Sequence, residues 1–119
     1  MAKKPVLTGD LPKVTVSGKE YTLKPSLSAA RKITQALGGL RPAFMKCNDL
    51  DPDALAAVVA AGAGLTFKDQ AEADAFTESL FFKTNRDDYI PGLTDFLILM
   101  LAGGKKPDES AEATSEGNG

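Results

Sequence analysis

The clearest β-strand alternation in this 119-residue chain lies in one stretch, and it is too short to make a sheet that stands by itself. Lys13-Val14-Thr15-Val16 and Glu20-Tyr21-Thr22-Leu23 are alternating runs, and Ser17-Gly18-Lys19 turns the chain between them. Residues 13–24 are therefore expected to form a hairpin. Val14, Val16, Tyr21 and Leu23 would share one face, and Thr15, Glu20 and Thr22 the other. A two-stranded hairpin is marginal in water, so its apolar face must lie on helices or on another chain. Beyond Pro25 the apolar period is helical, cut by Gly38-Gly39, by Gly62 and Gly64, and by Gly103-Gly104. The expected fold is mainly α (α+β): an N-terminal β-hairpin, then four or five packed helices within residues 26–104.

Local signals place the helices. Ser26 or Ser28 can cap the first, whose inner face would be Leu27, Ala30, Ile33, Thr34 and Leu37. A short helix over residues 41–48 would be anchored by Phe44 and Met45. Asp51 can cap a third helix, with Pro52 in its first position and Asp53 complementing the macrodipole. Leu55, Val58 and Val59 would be buried there, and its many alanines suit close approach by a neighbouring helix. Thr66-Phe67-Lys68-Asp69 has the spacing of a capping box and opens a helix to about Lys83. Phe67, Ala73, Phe76, Leu80 and Phe81 would face inward, and Asp69, Glu72, Asp74 and Glu78 outward. A polar break over residues 84–88 precedes a last helix, about 89–102, with Pro91 in its first turn. From Phe96 to Leu101 that helix is apolar on every face. It is either the central buried helix of a monomer or the place where a second copy is met.

The ends differ from the body. Residues 1–12 mix Lys, Pro, Gly and Asp without period and read as a flexible basic arm. Residues 105–119 contain no large apolar side chain and read as a disordered acidic tail. That leaves a single domain over residues 13–104. Val6-Leu7 is too short for a secretory core of about 7–15 apolar residues. Phe96 to Ala102 falls far below the ~20 that cross a membrane. A cytoplasmic protein with Cys47 reduced and no membrane partner is expected. With 14 Lys and Arg against 16 Asp and Glu, the net charge of −2 argues against a nucleic-acid partner.

Little on the chain is built for catalysis. There is no histidine, hence neither the commonest general base nor the commonest metal ligand. One cysteine excludes an internal disulfide and a Cys-rich zinc site. Asp49, Asp51 and Asp53 have the spacing that opens a calcium loop, but Ala60 stands where the bidentate glutamate belongs. Helix capping accounts better for them, as for Asp87-Asp88. Ser26, Ser28 and Ser79 have no histidine to activate them. Lys83 and Arg86 flank a helix break and suit a helix C-terminus. No catalytic, cofactor-binding or metal-binding residue is assigned, and no enzyme is expected. The residues proposed for contact with a partner or a second copy are Tyr21, Phe82, Phe96, Leu97, Ile98, Met100 and Leu101.

One family resemblance emerges from these residues. Gly18, Tyr21, Leu23, Pro25 and Ser26, followed by a helix ending in Leu37-Gly38, match a G-x-x-Y-x-L-x-P-(S/T) hairpin that feeds a helix with an L-G stop. Leu55, Val58, Val59, Ala61 and Gly62 match an L-x-x-(V/L)-(V/L)-x-A-G helix. The chain thereby resembles the small tail assembly chaperones of long-tailed bacteriophages, especially the form found in gene transfer agents. The match spans residues 13–65; beyond Thr66 the likeness lies in helix number and length. The resemblance implies a protein that coats the tape measure protein, recruits tail tube subunits during tail morphogenesis, and is absent from the mature particle. It also implies a homo-oligomer in the host cytoplasm, and in many members a longer form made by programmed frameshift. Gly103-Gly104-Lys105-Lys106 can be encoded by a slippery run, or can simply stop and complement a helix.

Two other readings remain beside it. A head–tail joining or other tail subunit would stay in the virion. A small cytoplasmic interaction module would pair its hairpin edge with a partner strand.

Overall fold

Two left-handed residues let the chain reverse between its strands. In the computed structural model, which describes residues 11–103, strand β1 (Lys13–Val16) pairs antiparallel with β2 (Lys19–Thr22). Val14 lies opposite Tyr21 and Val16 opposite Lys19. Ser17 and Gly18 between them have φ of 50° and 86°. Such a two-residue turn carries the same twist as the strands it joins. Val14, Val16 and Leu23 are buried on the face the alternation predicts, and Tyr21 is half-buried.

Five helices follow: α1 (Leu27–Leu37), α2 (Leu40–Asn48), α3 (Pro52–Ala63), α4 (Gln70–Phe82) and α5 (Arg86–Leu101). Ser26 rather than Ser28 caps α1, its hydroxyl accepting from the Ala29 N–H at 3.0 Å. Asp51 caps α3 through the Asp53 and Ala54 N–H groups. Gly38 and Gly64 close α1 and α3 in the left-handed region. The expected basic arm, apart from Leu11 and Pro12, and the expected acidic tail lie outside the described residues.

Four local expectations are corrected. The α1 stripe that is buried is Ala29, Ile33 and Leu37, which leaves Leu27 and Thr34 exposed. Helix α2 buries Ala43 and Cys47, with Phe44 half-buried and Met45 exposed, because Ala43 and Cys47 are the i, i+4 pair that faces the core. Asp69, not Thr66, caps α4: its carboxylate accepts from Glu72 N–H at 2.9 Å, while Glu72 accepts from Lys68 N–H at 2.8 Å. Helix α5 starts at Arg86, which places Asp87 and Asp88 inside its first turn. Pro91 therefore lies within the helix and cannot donate to the Asp87 carbonyl.

One apolar core joins the elements. Helix α3 contributes Leu55, Val58 and Val59, all fully buried. Gly62 is no helix stop. It lies inside α3 where a Cβ would come within 3.0 Å of Phe96 Cζ and 3.1 Å of Leu23 Cβ. Beside it the Gly62 carbonyl accepts from Lys24 N–H at 3.0 Å. The missing side chain thus lets the exit of the hairpin cross α3. The apolar segment of α5 is the central helix of the monomer: Phe96 and Leu97 are fully buried, and Leu99 and Met100 nearly so.

Candidate protein-interaction surfaces

The polar chemistry of the chain is largely spent on holding helix ends. Asp51 and Asp69 are caps. Thr84 Oγ1 donates to Ser79 O at 2.9 Å and accepts from Ser17 N–H at 2.9 Å, tying the hairpin turn to the α4–α5 link. Arg86 donates to Phe81 O at 2.8 Å and to Tyr89 Oη at 3.1 Å, with its guanidinium 4.4 Å from the centre of the Phe81 ring. The last turn of α4 is thus capped by the first residue of α5, which also satisfies a fully buried tyrosine. Burial pushes the Tyr89 phenol up, and Arg86 partly opposes it. Burial, with the Asp51 carboxylate adding to it, pushes the Cys47 thiol up to about 12, far from thiolate chemistry. Among the described residues no three His, Cys, Asp or Glu side chains converge as a metal site needs, and no helix is long and apolar enough to cross a membrane.

The proposed contact residues do not form one patch. Tyr21 packs edge-on against Phe76 with ring centres 6.2 Å apart, and the Lys19 ammonium lies 5.3 Å from its ring centre. Phe96 and Leu97 belong to the core of the single chain and present no surface to a partner, and Met100 is nearly buried beside them. Ile98 and Leu101, on the same helix, are exposed at 36% and 43%. Phe82 is 76% exposed, the most exposed large apolar side chain among the described residues. Residue-by-residue reading missed Leu27, Met45 and Leu50, which are exposed as well. The signal that finds Leu27 and Met45 is the i, i+4 stripe beside each: Ala29-Ile33-Leu37 and Ala43-Cys47 already fill the core face.

Two further features shape the surface. Between α1 and α4 runs an open groove of about 470 Å³, floored by Ala57, Ala60 and Ala61 of α3 and walled by Lys32 on one side and Asp69 on the other. Charge is also segregated. From Lys24 to Asn48 the chain carries Lys24, Arg31, Lys32, Arg41 and Lys46 and no acid, all exposed. From Asp69 to Phe82 it carries Asp69, Glu72, Asp74 and Glu78 and no base, again all exposed. Comparison with protein-family models, curated proteins and solved structures finds no match to this chain.

Proposed function

We propose that the chain is a non-catalytic tail assembly chaperone, which binds the tape measure protein and recruits tail tube subunits during tail morphogenesis. It would work in the host cytoplasm and stay out of the finished particle. The observation that carries this reading is the exposure of six large apolar side chains, Leu27, Met45, Leu50, Phe82, Ile98 and Leu101, around an intact core. These six side chains are available for reversible contact with another protein. The resemblance over residues 13–65 supports the choice of partner. The residues that carry it have concrete structural work: Gly18 turns the hairpin, Ser26 caps α1, Gly38 closes it, and Gly62 admits Leu23 and Phe96.

Co-expression with the tape measure protein of the same particle tests the reading. The expected result is a soluble complex of the two, from which the chain is released as tail tube protein is added. A tape measure protein that stays aggregated, with none of this chain bound, contradicts it.

A further inference from the structure

Helix α4 is apolar on two opposite sides, and only one is used. Ala73, Phe76 and Leu80 face the domain. Ala71, Ala75, Glu78 and Phe82 fall on the opposite stripe at spacings of four, three and four residues, and all four are exposed. A surface helix ordinarily keeps this side polar. Helix α1 has a matching outer stripe of Leu27, Arg31, Thr34 and Gln35. Leu27 is 64% exposed there. Together with Ala30, these side chains line an open hollow of about 450 Å³. One helix offers a protruding phenylalanine among carboxylates, and the other a hollow beside the Arg31 guanidinium.

The two stripes fit in one register. With α1 and α4 set antiparallel and Leu27 facing Phe82, Arg31 comes level with Glu78 and Thr34 with Ala75. Apolar meets apolar at Leu27 and Phe82, and one turn along base meets acid at Arg31 and Glu78. The helix dipoles also oppose each other. Charge outside the register follows the same polarity, with only bases from Lys24 to Asn48 and only acids from Asp69 to Phe82.

From this register we infer that the α1 face of one copy of this chain docks on the α4 face of a second copy, with Phe82 seated in the hollow beside Leu27. Because the two faces differ, each contact leaves one α4 and one α1 unused, and further copies can add in series unless the rotation closes a ring. The resemblance already implies a homo-oligomer; what these surfaces add is which faces meet, and that stands apart from any phage partner.

Sedimentation velocity of the full chain, from micromolar to millimolar, tests it. The wild-type mass should rise with concentration, and added salt should lower it as the charged stripes are screened. Arg31→Glu places a carboxylate opposite Glu78, and Glu78→Arg places a guanidinium opposite Arg31. Each alone should weaken association by about tenfold or more, as like charges are forced together. Mixing the two variants, or combining both changes in one chain, should restore it. Phe82→Ser should weaken association while the thermal melt stays at the wild-type value. A wild-type chain that remains monomeric throughout overturns the inference. So does association that both charge reversals leave unchanged, or a loss that mixing fails to restore.

Discussion

Replacing Gly92 by alanine sets two effects of opposite sign against each other, and the structure decides between them. Gly92 lies in α5 where β1 crosses it. On an open helix, glycine to alanine stabilises by about 1 kcal/mol, because alanine loses less backbone entropy on folding. Here a Cβ would overlap the Lys13 carbonyl oxygen, lie 2.8 Å from the Lys13 carbonyl carbon and reach 3.0 Å from Val14 Cγ1. Carbon–oxygen contacts settle near 3.3–3.6 Å, so β1 would have to retreat by about 1.5 Å. The obstacle is backbone, which no rotamer change can move aside. Overpacking costs about 1–3 kcal/mol even where side chains can yield. Lifting β1 would also uncover part of Val14 and Val16, whose full burial contributes about 1.5–3 kcal/mol each. After the helix-propensity gain is subtracted, a net loss of about 2–4 kcal/mol is expected, a large share of the ~5–15 kcal/mol of a typical domain. At about 4–8 °C per kcal/mol, the melting temperature should fall by roughly 10–30 °C. Thermal unfolding followed by circular dichroism at 222 nm measures it. Gly64→Ala is the control: its φ of 73° is left-handed but the space around it is open, so only about 1–2 kcal/mol should be lost. A Gly92→Ala chain that melts at or above the wild type would refute the packing of β1 on α5.

Other consequences follow from single contacts. Leu97→Asp puts a carboxylate in the dry core and should cost more than about 4 kcal/mol, unfolding the chain; a folded monomer that has merely stopped associating would return Leu97 to an interface. Asp51→Ala removes the cap shared by the Asp53 and Ala54 N–H groups and should cost about 1 kcal/mol by urea denaturation, with an unchanged midpoint counting against the cap. The Cys47 thiol goes from an ordinary value of 9.0 to about 12 on folding. The unfolded chain therefore gives up that proton first, so the stability linked to it is complete below pH 9 and falls as pH rises toward 12. Cys47→Ala should flatten part of this alkaline decline, and an identical pH profile would show that burial does not hold the proton.

What was legible in the sequence is what depends on neighbours along the chain. The hairpin, the Ser26 and Asp51 caps and the Gly38 and Gly64 stops each need only a few adjacent residues. The misses depend on distant ones. Gly62 looks like a helix stop until Leu23 and Phe96 are seen pressing on it. Leu27 and Met45 look like core until Ala29, Ile33, Ala43 and Cys47 are found to fill the inner stripes. The uniformly apolar run of α5 fits a monomer core and an interface equally well. Only the packing of hairpin and helices around it places Phe96 and Leu97 inside, with Ile98 and Leu101 at the surface. Of the candidate contact residues, Phe82 could be singled out beforehand because it falls off the apolar stripe of α4. The complementarity of α1 and α4 required knowing which face of each helix was already used.

We propose that this protein acts while the tail is being built and does not remain in it. Mass spectrometry of the producing cells, set against purified particles, tests that most directly. Peptides of this chain in the lysate and none in the particles are predicted. Stoichiometric amounts of the chain in the particles would contradict the account and make it a structural subunit.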